Sequence, residues 1–244
     1  MAYETVEVRK LTGGCGAEVL GVDLNALSNS QWAEVQRAYA EFGVIFFRDQ
    51  RLTPEQHIAF ARRWAPIDIN RFFTPVEGHP EIAEVRKEPE QKTNIGGGWH
   101  TDHSYDPEPA MGSILLAREL PDEGGDTLFA NMYRAYETLS EPIKKMLTGL
   151  SALHDSSKAH YYRVKANDRD EMKFPNAEHP VVRTHPVTGK QALFVNRGFT
   201  LRIPQLKKHE SDALLEMLYR HLETPEFQCR FKRDRKSTRL NSSH

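Results

Sequence analysis

The sequence predicts a mixed fold of strands and helices, in which short strands build an antiparallel barrel or sandwich with helical padding. Three observations lead there. Apolar runs are short and lie between long polar connections, two helices near the N-terminus carry complete start signals, and strands do not alternate with helices as a βαβ repeat would require. No repeat of solenoid period is visible in the chain.

Residues 17–24 (AEVLGVDL) read as the first strand. Ser28 with Gln31 three residues on is a capping box, which satisfies two free amides at a helix start. Trp32, Val35, Ala38, Tyr39 and Phe42 then share one helical face until Gly43 stops the run. Val44–Phe47 is wholly apolar and reads as a buried strand. Thr53, Pro54 at the first helical position and Gln56 open a second helix bearing Ile58, Ala61, Arg62 and Trp64. From 70 to 98 the pattern loosens into loops, with one strand at 81–85 and a polar segment at 87–94, the kind of region on which sites are hung. Further strands are expected at 112–117, 127–131, 180–184 and 191–195, and helices at 131–139, 141–150 and 210–222. The last of these helices sets Leu214, Leu215, Leu218 and Leu222 on one face.

Lysine and arginine number 33 against 34 aspartate and glutamate, a net charge of −1, so no strong field exists to recruit nucleic acid or acidic lipid. An apolar share of 39% in 244 residues can bury one sizeable core, so a single domain is expected. The first ten residues lack a signal-peptide apolar region, and no apolar run approaches the ~18 residues of a membrane span. A soluble, cytoplasmic protein acting on a small-molecule substrate is expected, with neither nucleic acid nor membrane as partner; a homo-oligomer is compatible with this. Cys15 and Cys229 lie far apart in the chain, which sets aside a disulfide framework or a cysteine zinc site. Any metal must be held by histidine and carboxylate.

The last segment, 234–244 (DRKSTRLNSSH), has a single apolar side chain and follows an amphipathic run at 225–231 that is entering a strand. It resembles the translation of a sequencing adapter read through the end of a gene fragment; a natural disordered tail is the alternative. On the first reading 1–233 is a partial domain, 234–244 is a non-native tail, and the C-terminal part of the fold is missing.

Eleven histidines invite metal hypotheses, and a histidine alone in a loop is usually a surface or hydrogen-bonded residue. His100 and Asp102, in GGGWHTDHSY, differ. In an extended segment side chains two apart point to the same face, so an imidazole nitrogen and a carboxylate oxygen can reach one ion from a single strand. Gly96, Gly97 and Gly98 permit close backbone approach just before the pair. Two ligands do not complete a site. A facial triad of two histidines and a carboxylate would leave three positions open on Fe(II), a closed zinc site would want four ligands, and a solvated Asp102 could simply cap a turn. Spacing leaves all three open.

WHTD at 99–102, PAMGSILLARELPDEGGDTLFANM at 109–132 and HPVVRTHPVTGKQALFVNRGFTLRI at 179–203 together resemble the taurine dioxygenase / 2,4-dichlorophenoxyacetate dioxygenase (TauD/TfdA) family of Fe(II)- and 2-oxoglutarate-dependent oxygenases, over about 20–231. The resemblance implies a double-stranded β-helix (jelly-roll) core, incomplete at the C-terminus, with His100 and Asp102 as two iron ligands on a strand at the barrel mouth. It implies Fe(II) as cofactor, 2-oxoglutarate and O2 as cosubstrates, and hydroxylation of a small organic substrate with release of succinate and CO2. By the same resemblance Thr127 bonds a carboxylate of 2-oxoglutarate and Phe199 lines the substrate pocket.

Two departures from the family pattern stand out. Where taurine-specific members carry a histidine and a tyrosine, this chain has Asn70 and Phe73. An asparagine can donate a hydrogen bond but brings no positive charge to a sulfonate, which argues against taurine as substrate; Arg71 next door could meet an anion. The family also places a distal iron-binding histidine and a 2-oxoglutarate-binding arginine beyond the region of Phe231, and nothing there resembles them. The chain is therefore expected to be a poor enzyme with unpartnered strand edges, prone to aggregate. The rival functions are a metal-free jelly-roll binding protein and a zinc hydrolase.

Overall fold

The computed structural model describes residues 2–88, 90–92, 96–158, 174–232 and 238–242, the last five by backbone pairing alone. Pro89 and residues 93 and 94 of the polar segment, and most of 234–244 including His244, lie outside the described residues. The elements run β1 (Glu7–Lys10), β2 (Ala17–Leu20), α1 (Asn29–Phe42), β3 (Val44–Phe47), α2 (Pro54–Arg62), β4 (Thr74–Val76), β5 (His79–Glu84), β6 (Gly112–Leu116) and β7 (Thr127–Ala130). They continue with α3 (Met132–Glu137), α4 (Glu141–Leu147), β8 (Ser151–Asp155), β9 (Asn176–Pro180), β10 (Val182–Thr184), β11 (Gln191–Leu193), β12 (Thr200–Arg202), α5 (Lys208–Leu222), β13 (Gln228–Phe231) and β14 (Thr238–Ser242).

Strands and helices are mixed as expected. A five-stranded sheet has the order β1-β2-β3-β14-β6, and smaller sheets pair β12-β8-β9, β10-β11, β13-β7 and β4-β5. Pairing is antiparallel except between β2 and β3, which α1 connects as a single βαβ crossover. Both capping boxes form: Ser28 Oγ accepts from Gln31 N–H and Thr53 Oγ1 from Gln56 N–H, with each glutamine side chain returning to its cap backbone. Gly43 ends α1 at φ 73°, a left-handed turn that a side chain would strain.

Strands β1, β8 and β12 were not among the expected ones. They are four, five and three residues long and carry Glu, Arg, His or Asp, so none has an apolar run to announce it; β1 pairs with the adjacent β2, while β8 and β12 are stabilised by partners more distant in sequence. The strand expected at 180–184 splits at Val181, where β9 and β10 part to serve different sheets. Segment 238–242, read from sequence as a tail, pairs with both β3 and β6, Leu240 standing opposite Ile45 and Ile114. Ladder hydrogen bonds come from the backbone, so a strand slot accepts a segment of any origin; open strand edges were expected, and β3 and β6 are each paired with β14.

Two cores flank the centre. One packs α1 and α2 on the large sheet through Val19, Val35, Tyr39, Ile45, Phe47 and Phe60; the other packs α5 on β8, β10 and β11 through Ala152, Leu193, Leu215, Leu218 and Leu222. Side chains of this size contribute ~1.5–3 kcal/mol each on burial, so these two cores hold the elements that frame the loops between them. Cys15 and Cys229, 214 positions apart in sequence, are in contact as buried free thiols in a third cluster with Phe46 and Phe231. Sequence distance was a poor guide to their separation, although no disulfide joins them.

Candidate active site

His100 and Asp102 lie in the loop between β5 and β6, not on a strand as expected. Gly96 at φ +68° turns the chain into this segment, and successive turns close through Ser104 N–H to Thr101 O (3.3 Å) and Asp106 N–H to His103 O (2.9 Å). His103 sits between them at φ 58°. The turns, rather than strand alternation, fold Asp102 back onto His100, and the two donors converge with Nε2 and Oδ1 3.2 Å apart. Each side chain keeps about a third of its surface open, 33% and 35%, so the pair is reachable from solvent.

Each donor is oriented from behind. His100 Nδ1 lies 2.8 Å from the Gly98 carbonyl, which can only accept, so Nδ1 carries a proton and Nε2 is the nitrogen that faces Asp102. Asp102 Oδ2 accepts from Ser113 Oγ at 2.9 Å on β6, leaving Oδ1 toward the imidazole. Burial pushes the Asp102 carboxyl upward, but the hydrogen bonds and charge of His100 and the Ser113 hydroxyl outweigh it and hold the group down at about 2. A deprotonated Nε2 facing a carboxylate oxygen sets lone pair against lone pair. The contact is stable only with a cation at or between the two atoms, either a proton on Nε2 or a metal ion.

A chemistry of one imidazole nitrogen and one carboxylate oxygen suits a divalent first-row metal. Among the described residues no third histidine, cysteine or carboxylate joins this pair. The three-donor group that does occur is Asp68, His103 and Asp106. There both carboxylates address the same nitrogen, His103 Nδ1, at 3.2 and 3.0 Å, and Arg71 Nη2 takes the other Asp106 oxygen at 3.2 Å. A proton on His103 satisfies that cluster without a metal, and Arg71, which the sequence left able to meet an anion, is paired with Asp106.

Beside His100 and Asp102 stands an aromatic cluster of Phe72, Phe73, Tyr105 and Phe199. Phe199 meets the His100 ring edge-on at 6.1 Å and Tyr105 at 4.8 Å. Of the expected substrate residues, Phe73 and Phe199 are thus brought together next to His100. Asn70 is close in sequence but its Oδ1 accepts from Phe72 and Phe73 N–H at 2.8 and 3.0 Å, closing a local turn. Thr127 opens β7 opposite Phe231 and is half-buried. Sequence reasoning gave Gly98 a backbone role but not its bond to His100, and it did not find Ser113, Phe72 or Tyr105. Tyr105 follows Asp102 closely enough to have been suspected, whereas Ser113 carries no local signal because its bond to Asp102 depends on the return of the chain in β6.

Among the described residues no helix is long and apolar enough to cross a membrane. The family model "Taurine catabolism dioxygenase TauD, TfdA family" matches residues 7–236. A relative from Sphingobium herbicidovorans, named (S)-phenoxypropionate/alpha-ketoglutarate-dioxygenase, is 34% identical over 227 residues, covering 87% of this chain and 77% of its own. An alpha-ketoglutarate-dependent sulfonate dioxygenase from Saccharomyces cerevisiae is 32% identical over 231 residues, covering 90% of this chain and 56% of its own. The chain thus spans little more than half the length of that yeast relative, and 58% of a relative from Schizosaccharomyces pombe. Among solved structures, a taurine dioxygenase from Burkholderia xenovorans superposes with a TM-score of 0.84 at 34% identity, covering 98% of this chain and 80% of that one. AAD-2, crystallised with Mn(II) and N-oxalylglycine, superposes with a TM-score of 0.77 at 27% identity, covering 98% and 88%. The jelly-roll oxygenase fold expected from the resemblance is the fold of these neighbours, and the chain belongs to the taurine catabolism dioxygenase TauD, TfdA family.

Proposed function

We propose that this chain is an Fe(II)- and 2-oxoglutarate-dependent dioxygenase domain that hydroxylates a small organic substrate. Its support is the 3.2 Å approach of His100 Nε2 to Asp102 Oδ1 with Nδ1 already committed to the Gly98 carbonyl, which leaves two converging donors in need of a cation. Fe(II) with 2-oxoglutarate and O2 would supply the oxidation, yielding succinate, CO2 and a hydroxylated carbon.

The chain's own residues would bind and orient. His100 Nε2 and Asp102 Oδ1 would hold the metal, with Gly98 and Ser113 fixing their directions. Thr127 would offer its hydroxyl to a carboxylate of 2-oxoglutarate. Phe73 and Phe199 would seat an apolar portion of the substrate and keep water from the reacting carbon. Asn70, whose carbonyl is spent on its turn, would meet substrate through its NH2 alone, and Arg71 shares its charge with Asp106. Both favour a substrate with an apolar body over taurine. Among the described residues His100 and Asp102 are the two side chains whose donors converge on this point.

Anaerobic titration tests this reading. Fe(II) plus 2-oxoglutarate should produce a visible charge-transfer band that His100→Ala and Asp102→Ala abolish. Uptake of Zn(II) with no band on Fe(II) addition would favour the zinc hydrolase, and no metal uptake at all would leave a metal-free binding protein.

A further inference from the structure

The turn from Asn196 to Thr200 is fastened to the rest of the molecule at several points, one of them beside His100. Asn196 Nδ2 donates to Ser104 Oγ at 3.1 Å, while its Oδ1 accepts from Phe199 N–H at 2.8 Å. Arg197 donates to Glu216 on α5 and to Glu223 just past it, both at 2.7 Å. Gly198 N–H donates to the Trp99 carbonyl at 3.0 Å. Thr200 Oγ1 accepts from Asn196 N–H at 2.9 Å and lies 3.3 Å from His154 Nδ1, which Ser104 Oγ also meets at 3.1 Å. Ser104, His154, Asn196 and Thr200 are all buried, at 3% exposure or less. Hydrogen bonds in so dry a cluster are expensive to break, so the two turns it joins, 101–106 and 196–200, are held in one relative position.

Gly198 occupies the contact between this turn and the metal-binding pair. A Cβ at 198 would stand 2.7 Å from His100 Cβ, 3.3 Å from the Trp99 carbonyl and 3.4 Å from Asn196 Oδ1. Its φ lies outside the left-handed range, so glycine is required there by the approach of His100 and not by the backbone. Neither side can yield easily. His100 is tied through Nδ1 to Gly98, and the turn is tied to α5 by Arg197 and to Ser104 by Asn196.

We propose that residues 196–200 form a positioning clamp for His100, in which Gly198, as a positioning residue, sets the imidazole against Asp102. The clamp rests on the metal-centre reading only for its consequence, since the placement of the ring is a property of the apo chain.

The test uses the 244-residue chain labelled at histidine. The ring resonances of His100, assigned by their loss in His100→Ala, are followed in the apo protein and during titration with Mn(II), whose paramagnetism broadens a ring it binds even when binding is weak. Gly198→Ala should shift the apo resonances and weaken Mn(II) binding by about tenfold, the scale of a lost orienting partner, with the far-UV spectrum and cooperative melt retained. Gly13→Ala, at a glycine with nothing within 4 Å, should do neither. Apo resonances and Mn(II) affinity equal to the parent's in Gly198→Ala would overturn the clamp. If Gly198→Ala does not fold, Ser104→Ala decides, because it loosens the clamp without adding volume: it should move the same resonances, and an unmoved ring overturns the clamp. If Mn(II) leaves the parent's His100 unbroadened, the metal-centre reading fails, and the apo shift in Gly198→Ala alone settles the clamp.

Discussion

His100 and His154 lie in adjoining parts of the molecule and have opposite surroundings. His100 is a third exposed, has its Nδ1 proton fixed on the Gly98 carbonyl, and sets Nε2 3.2 Å from a carboxylate oxygen. His154 is fully buried among hydroxyls, and burial, with the nearby His179, Lys158 and Arg183, holds its pKa down at about 3. One environment demands a positive charge and the other expels it. A histidine's role is therefore read from what faces its second nitrogen, not from its presence in a His-rich chain.

The contrast can be broken most strongly at the charged side. His100→Ala or Asp102→Ala should lower Fe(II) affinity by about 100-fold or more and erase the charge-transfer band, read by anaerobic titration, because one remaining donor leaves no chelate. Retention of the band in either variant would move the metal elsewhere.

Acid should break the other side. The folded His154 resists protonation down to about 3, while in the unfolded chain it titrates near its ordinary value of about 6.5, so the unfolded state takes up the proton first as pH falls. Its contribution to stability is intact above that value and drains away between about pH 6.5 and pH 3. By pH 4 the loss from this group alone is about 3 kcal/mol, measurable in urea melts, and His154→Gln should flatten the slope. A slope unchanged in that variant would assign the acid sensitivity to other groups.

Smaller effects sharpen the picture. Ser113→Ala removes the hydroxyl that directs Asp102 and should weaken Fe(II) binding by about tenfold while moving the urea midpoint little. Thr53→Ala, a cap far from either histidine, should cost about 1 kcal/mol in thermal or urea melts and leave metal affinity untouched.

What could be read in the sequence was what neighbouring residues decide together. Both capping boxes, the Gly43 stop and the apolar run of β3 are local, and each formed where its residues said it would. The His100 and Asp102 pair was visible as a spacing, yet the reason given for it, strand alternation, was wrong: the pair lies in a loop of successive turns with left-handed residues at Gly96 and His103. Ser113 behind Asp102, Cys15 against Cys229, and β14 between β3 and β6 all depend on distant chain returning, which no window of sequence records.

The paired-donor centre is tested most directly by the Fe(II) dissociation constant of Asp102→Asn against the parent chain. This change keeps the shape of the side chain and removes its charge. A rise of about 100-fold is expected if Oδ1 and Nε2 share one cation; equal affinities would contradict a shared ion and leave their 3.2 Å approach as a simple hydrogen bond.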